Sequence, residues 1–470
     1  MLFNSIPFFI LFVFTYILYW NSSSSYKKYI LLISSILFYS YHSINLTFHF
    51  LAVILINYYL SSYLINKKSK NESTDKLIKV VVILNLINLV FFKYFYFVFN
   101  SIYTFTGLMS IKEFSISIQI ALPLAISFYT FQLIAFQIDI HRGKILRIPP
   151  ILDYFIFILF FPQLIAGPIM RSEEFLPKLD KPEINQDRML NGLYLIITGL
   201  LKKVVIADNL GGIINPLYLQ TEVYSSFSVL VAIFSFIIQV YCDFSGYSDI
   251  ARGLAFLLGF EIPINFKGPF ISSNFSEFWS RWHITLSTWL KDYLYISLGG
   301  NRKGFHRSNL NMLVTMSLGG LWHGADIAYL FWGSFLGSML AIERIFDKYE
   351  IKIPDLKIIK IIQWTFFLFL LAISGIFFRS GMFGDQSLNE ISKLFNGLFS
   401  FREGKLLYRY QECIAYIFLG LILNYIEYKE LFISGYDKIK PMLLPAYSLL
   451  ILFLLGLYGD GGGDFIYFQF

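Results

Sequence analysis

Two histidines set among apolar residues are the groups in this chain best suited to moving a proton. His323 lies in SLGGLWHGAD (Ser317 to Asp326), within a stretch from Ser308 to Ile342 whose one charged residue is Asp326. A continuous helix of that length would run about 52 Å at 1.5 Å per residue, against a bilayer core of about 30 Å. The stretch is therefore expected to break, tilt steeply or fold back. Gly319, Gly320 and Gly324 are the natural break points, because glycine takes backbone geometries that other residues resist. His323 then falls at a helix interruption within membrane depth, where irregular backbone is tolerated only if it lines a cavity or is buried in protein. Burial disfavours the imidazolium, so a neutral ring able to accept a proton is expected, as a general base requires. The competing role is structural, a neutral histidine closing a helix–helix hydrogen bond. Asp326 lies three residues on, one turn away if the helix continues.

The second histidine, His283, sits in NFSEFWSRWHITLSTWLKDYL (Asn274 to Leu294). On a helical projection Phe275, Phe278, Trp279, Trp282, Leu286, Trp289, Leu290, Tyr293 and Leu294 fall within an arc of about 160°. Glu277, Arg281, Lys291 and Asp292 lie opposite, and Ile284 is out of place. One amphipathic helix is predicted, at the membrane surface or lining a wet interior cavity, since its charge density is too high for lipid on all sides. His283 falls inside the apolar arc, either to handle a proton or as a structural histidine bonded to a backbone carbonyl. Asp243, Ser245 and Asp249 in YCDFSGYSDIARG line a polar cavity or cap helix ends, and the residues alone leave both open. FSGYS lacks the spacing of a nucleophile elbow and LGGNRKG that of a phosphate loop. Cys242 and Cys413, with no CxxC pair, offer neither a disulfide framework nor a zinc site. The GDGGGD tail reads as a turn, His42, His49, His141 and His306 as interfacial or loop residues, and no metal site is expected.

The elements that hold these groups are legible in composition. Of 470 residues 56% are hydrophobic and 15% charged, well below the roughly one quarter charged of soluble domains. That excludes a water-soluble enzyme, a collagen, a disordered chain and a DNA-binding module. The net charge of +7 needs no nucleic-acid partner, because polytopic proteins collect Lys and Arg in cytoplasmic loops. Apolar runs recur at 3–20, 29–46, 47–64, 80–99, 118–138, 151–168, 189–206, 226–242, 309–322, 326–342, 358–378, 410–427 and 442–458. They predict an all-α polytopic membrane protein with about 11 to 13 transmembrane or re-entrant helices, since unpaired backbone cannot face hydrocarbon and the runs lack the alternation of barrel strands.

Three loops, at 21–28, 65–79 and 139–148, hold ten Lys and Arg, and the intervening turns near 43–46 and 100–117 hold one, Lys112. That asymmetry places the three loops in the cytoplasm and the N-terminus outside. The run from Ile6 to Trp20 has no preceding Lys or Arg and no following small-residue cleavage site, so it reads as a retained span. No linker or internal repeat divides the chain, so residues 1–470 are taken as one membrane domain.

Taken together, FPQLIAGPIMR (Phe161 to Arg171), DFSGYSDIARGLAFLLGF (Asp243 to Phe260), NFKGPF (Asn265 to Phe270), FWSRWHITLSTWLKDYLYISLGGNRKG (Phe278 to Gly304), LWHGA (Leu321 to Ala325) and the terminal FIYFQF (Phe465 to Phe470) closely resemble the membrane-bound O-acyltransferase family, in particular its bacterial alginate O-acetyltransferase branch. The likeness runs from about residue 120 to 345, the motif core, plus the last few residues. It implies a helical bundle with a central tunnel, His323 at the catalytic centre and His283 as the family's second histidine. Arg171, Arg281, Trp282, Asp243 and Asp292 match motif positions, and of these Arg281, Trp282, Asp243 and Asp292 are taken as substrate-binding candidates.

The implied reaction moves an acetyl group from a thioester, acetyl-CoA as substrate with no bound cofactor, to a hydroxyl. The product would be an O-acetylated extracytoplasmic polysaccharide, made with an extracytoplasmic partner acetyltransferase. The D-alanyl-transfer branch of teichoic acid modification shares RWH, while LGGNRKG favours the acetyl branch. A proton-coupled transporter, with the histidines as relays, and a scaffold for glycan assembly are the rivals from other classes.

Overall fold

The computed structural model describes residues 1–429 except 2, 166, 352 and 353, together with 445, 448, 449, 453, 454 and 456. FIYFQF, the GDGGGD tail and most of the 442–458 run lie outside the described residues.

The described residues are helical almost throughout and contain no strand, only an isolated bridge between Tyr224 and Lys405. Each apolar run from 3–20 to 410–427 carries a helix, as hydrocarbon demands of a backbone that must satisfy its own hydrogen bonds. Prolines set several boundaries. The 118–138 run has no regular secondary structure up to Pro123 and becomes helical at Ile126, since proline pushes the preceding residue out of the helical region. The 151–168 run stops at Leu159 and restarts as Phe161–Leu164 with Pro162 in its first turn.

Among the described residues, five helices are long and apolar enough to cross a membrane: Ile44–Ser69, Asp75–Thr106, Gln186–Leu219, Ser226–Leu257 and Lys357–Phe399. Other apolar runs carry helices as well, among them Phe305–His323, Ile327–Lys348 and Tyr410–Tyr428, and some are shorter. Ile6–Asn21, for example, has 16 residues, short of the roughly 20 that a crossing takes. The chain is a multi-pass, all-α membrane protein.

Two compact units form, one of residues 1–193 and 251–263, the other of 194–250 and 264–470. In the first, polar side chains tie helices together. Asn57 and Asn85 exchange amide hydrogen bonds at 2.9 and 3.1 Å, and Gln137 donates to Ser61 at 2.7 Å. Such bonds and small residues hold helices where lipid supplies no hydrophobic drive. Lys68 donates to the carbonyls of Ile140 and His141, so two of the three basic loops meet at one end of this unit. Arg171 is also here, N-capping Ser172–Phe175.

In the second unit the Ser308 to Ile342 stretch folds back as a hairpin of Phe305–His323 and Ile327–Lys348. The expected break occurs at one of the three candidate glycines. Gly324 is extended, whereas Gly319 and Gly320 stay helical. A Cβ on Gly320 would stand 2.2 Å from the Tyr329 carbonyl, and one on Gly333 the same distance from that of Met316. The two backbones pack too closely for any side chain at either position. A hydrogen bond between Ser317 and Ser334 at 2.8 Å joins the pair.

Candidate active site

The second unit contains both histidines. His323 is the last residue of its helix and 4% exposed. Because the chain turns at Gly324, Asp326 does not stack one turn above it. Its carboxylate instead accepts the Ala328 N–H at 2.8 Å and caps the returning helix. The imidazole is caged edge-on by Trp322, Trp332 and Phe378, with ring centroids 5.0, 5.0 and 5.4 Å away.

His283 corrects the prediction of one helix over Asn274 to Leu294. The segment is broken into Phe275–Trp279, Ile284–Trp289 and a π turn, Leu290–Tyr295, with His283 at the first break in left-handed backbone, φ 41° and ψ 54°. Outside glycine that geometry costs about 1–2 kcal/mol, and neighbouring bonds hold it. The Asn265 carbonyl accepts Ile284 N–H at 2.9 Å, and its side-chain oxygen accepts the Thr285 hydroxyl at 2.7 Å. The His283 ring is itself the N-cap, Nδ1 accepting Leu286 N–H at 3.4 Å. Nε2 therefore carries the proton, and it has no hydrogen-bond partner among the described residues. An unspent buried donor costs about 1–3 kcal/mol. The residue is fully buried, outside the five apolar spans, and burial pushes the imidazole down to about 3, so the ring is neutral.

Trp322 joins the two histidines, its ring 6.1 Å from His283 and 5.0 Å from His323. Alongside lies an apolar cavity of about 50 Å³ whose walls include Phe236, Trp282, Trp332, Ser374 and Phe378. Trp332 and Phe378 also cage His323, and Trp282 precedes His283. The arrangement sets both imidazoles beside an apolar space, His283 with its Nε2–H uncommitted, a setting in which hydrogen bonds and developing charge are felt strongly.

The other candidates are placed differently. Trp282 is buried with the pair. Arg281 is half-buried, its guanidinium on Glu277 at 3.0 and 3.2 Å. Asp292 lies in the π turn. Asp243 is buried 2.7 Å from the Lys203 ammonium, which also meets Asp208, and Asp249 pairs with Lys202 at 2.8 Å. These aspartates belong to a buried ionic cluster that the sequence reading missed. Its members Lys202, Lys203 and Glu427 are charges inside the 189–206 and 410–427 apolar runs, the signal that could have found them. Glu427 accepts from Lys202 at 3.3 Å, Tyr241 hydroxyl at 2.5 Å and Gly268 N–H at 3.1 Å. Asn424 accepts Phe270 N–H at 3.1 Å. The Tyr410–Tyr428 helix thus grips the loop whose Asn265 holds the His283 turn.

Comparison with known proteins gives the same direction. Residues 142–379 match the model of the membrane-bound O-acyltransferase family. The probable alginate O-acetylase AlgI of Azotobacter vinelandii is 35% identical over 85% of this chain and 78% of its own length. The peptidoglycan O-acetyltransferase of Helicobacter pylori is 32% identical, covering 79% of this chain and 74% of that protein. The teichoic acid D-alanyltransferase of Bacillus subtilis is 30% identical over 49% and 60%.

Proposed function

The chain is an O-acyltransferase that belongs to the membrane-bound O-acyltransferase family, and on that premise we propose that it transfers acetyl from a thioester to a hydroxyl for O-acetylation of an extracytoplasmic polysaccharide. The donor in this reading is acetyl-CoA from the cytoplasm, the protein sits in the bacterial inner membrane with its N-terminus outside, and a tunnel leads both reactants to His323. The acceptor hydroxyl belongs to the glycan or to a serine of a partner acetyltransferase. Likeness to AlgI and to a peptidoglycan O-acetyltransferase over about four fifths of the chain favours acetyl over D-alanyl transfer, whose representative matches about half.

The observation that carries the reading is the pairing of two buried histidines across Trp322 beside an apolar cavity. His323 takes the proton of the acceptor hydroxyl as its oxygen attacks the thioester carbonyl. The tetrahedral intermediate collapses with cleavage of the C–S bond, and the departing thiolate recovers the proton from His323. Base assistance of this kind contributes about 10² to 10⁴ in rate. His283, with its unspent Nε2–H, donates to an oxygen of the reactants and positions them.

Replacing His323 with Ala is expected to abolish ester formation from labelled acetyl-CoA in membranes while the variant still inserts. Normal turnover in well-folded H323A would overturn the assignment. Counterflow of substrate without ester would support the transporter instead.

A further inference from the structure

Between Lys360 and Asp385 the chain has a single charged residue, Arg379, in the last turn of the Lys357–Ser380 helix. It is half-buried in the second unit, and its guanidinium lies over the rings of Tyr218, Phe383 and Phe236 at 4.6, 5.6 and 5.7 Å. Nη2 donates to the Asn215 side-chain oxygen at 2.9 Å and Nη1 to the Met382 thioether, a weak acceptor. Nε–H is buried and has no hydrogen-bond partner among the described residues. Among those residues no carboxylate pairs with this cation either. Glu222 and Glu390 are taken by Lys393 at 3.0 and 2.9 Å, Asp326 caps the Ile327–Lys348 helix, and Asp385 is exposed. The rings offer the negative faces of their quadrupoles, and the carbonyl end of the helix about half an elementary charge. Both fall short of a full counter-charge, and an ionisable group in an apolar run is expensive enough to mark function by default.

Its place ties this charge to the reaction. Phe378, one residue earlier, cages His323 at 5.4 Å, Phe236 packs on Phe378 at 6.4 Å, and both rings line the apolar cavity. An anion on Arg379 therefore lies two rings from the imidazole that takes the proton. Asn215 is exposed, so a solute meets the guanidinium from that side, and Nη1 gives up only a thioether to receive it. Among the described residues no other Lys or Arg bonds to or stacks on Asn215, Tyr218, Phe236, Met382 or Phe383. A lone guanidinium fork suits one planar, singly charged carboxylate, whereas the several phosphates of a nucleotide call for more positive charge. We propose that Arg379 binds the carboxylate of an acidic sugar and so selects a charged glycan as acyl acceptor, an inference that rests on the glycan acceptor proposed above.

The test uses the full chain in phosphatidylcholine vesicles, as wild type, R379Q and R379K, with labelled acetyl-CoA and two acceptors. These are tri-galacturonate and its methyl ester, which keeps the same hydroxyls without the charge. Wild type is expected to favour the acid over the ester in kcat/KM by about tenfold or more, as one charge-assisted contact provides. R379Q should lose that preference, and R379K should keep part of it. Taking the ratio on one preparation cancels any loss of folded protein. No preference in wild type, or the same preference in R379Q, overturns the assignment and leaves the transferase reading standing. If wild type acetylates neither oligosaccharide, Arg379 is judged by titrating both into wild type and R379Q. Tighter binding of the acid to wild type, lost in R379Q, supports the site, and equal or absent binding overturns it. A response to added phosphatidylglycerol that is lost in R379Q, with both oligosaccharides treated alike, also overturns it and marks a lipid headgroup instead. The transferase reading is scored separately: ester formed from acetyl-CoA on native membranes keeps it, and no ester on any acceptor ends it.

Discussion

His283 shows how one residue can be strained and indispensable to its neighbours. It occupies left-handed backbone, caps a helix with Nδ1, and holds a proton on Nε2 that no described residue accepts. A ring held at about 3 against an ordinary value of 6.5 binds fewer protons folded than unfolded between those two values. Its contribution to stability is thus complete above pH 6.5 and is lost as pH falls from 6.5 toward 3. The melting temperature of solubilised wild type should drop through that window, and His283→Asn should flatten the drop, because asparagine tolerates the same backbone and caps without titrating. Identical pH slopes for the two proteins would refute the link.

The elements around the site are pinned by charge as much as by packing. Glu427 alone receives Lys202, Tyr241 and Gly268, so it fixes the loop that fixes the His283 turn. Removing one member of a buried ion pair costs about 3–5 kcal/mol, because the partner stays buried and charged. Here Lys202 keeps Asp249, so the damage from Glu427→Ala should fall chiefly on the loop. Thermal inactivation is expected to be much faster in Glu427→Ala than in Glu427→Gln, which keeps acceptors for Gly268 and Tyr241. Equal rates for the two variants would mean that the charge, and not the clamp on the loop, is what matters.

For the molecule as a whole, the charge asymmetry of the loops makes a claim about sidedness. Cysteines introduced as Lys70→Cys and Lys144→Cys should react with an impermeant maleimide only after the membrane is opened, with low background because Cys242 and Cys413 are buried. Labelling in intact cells would reverse the topology. The placement of helices was legible from residue types alone, since runs at 47–64 or 226–242 satisfy a local requirement, apolar length without charge, that hydrocarbon imposes on any chain. That the stretch through His323 is no single straight crossing was equally legible, because 35 apolar residues are too long for one, while its folding back at Gly324 came from the structure. What only the tertiary structure decided was non-local. The periodicity of Asn274 to Leu294 is that of one helix, yet Asn265 and the loop held by the Tyr410–Tyr428 helix bend it open at His283. Asp243 looked equally fit to line a polar space or cap a helix until Lys203, 40 positions away, was seen against it. Local pattern reports which face of an element is apolar; which charge meets which across the interior depends on how distant segments pack, and no periodicity encodes that.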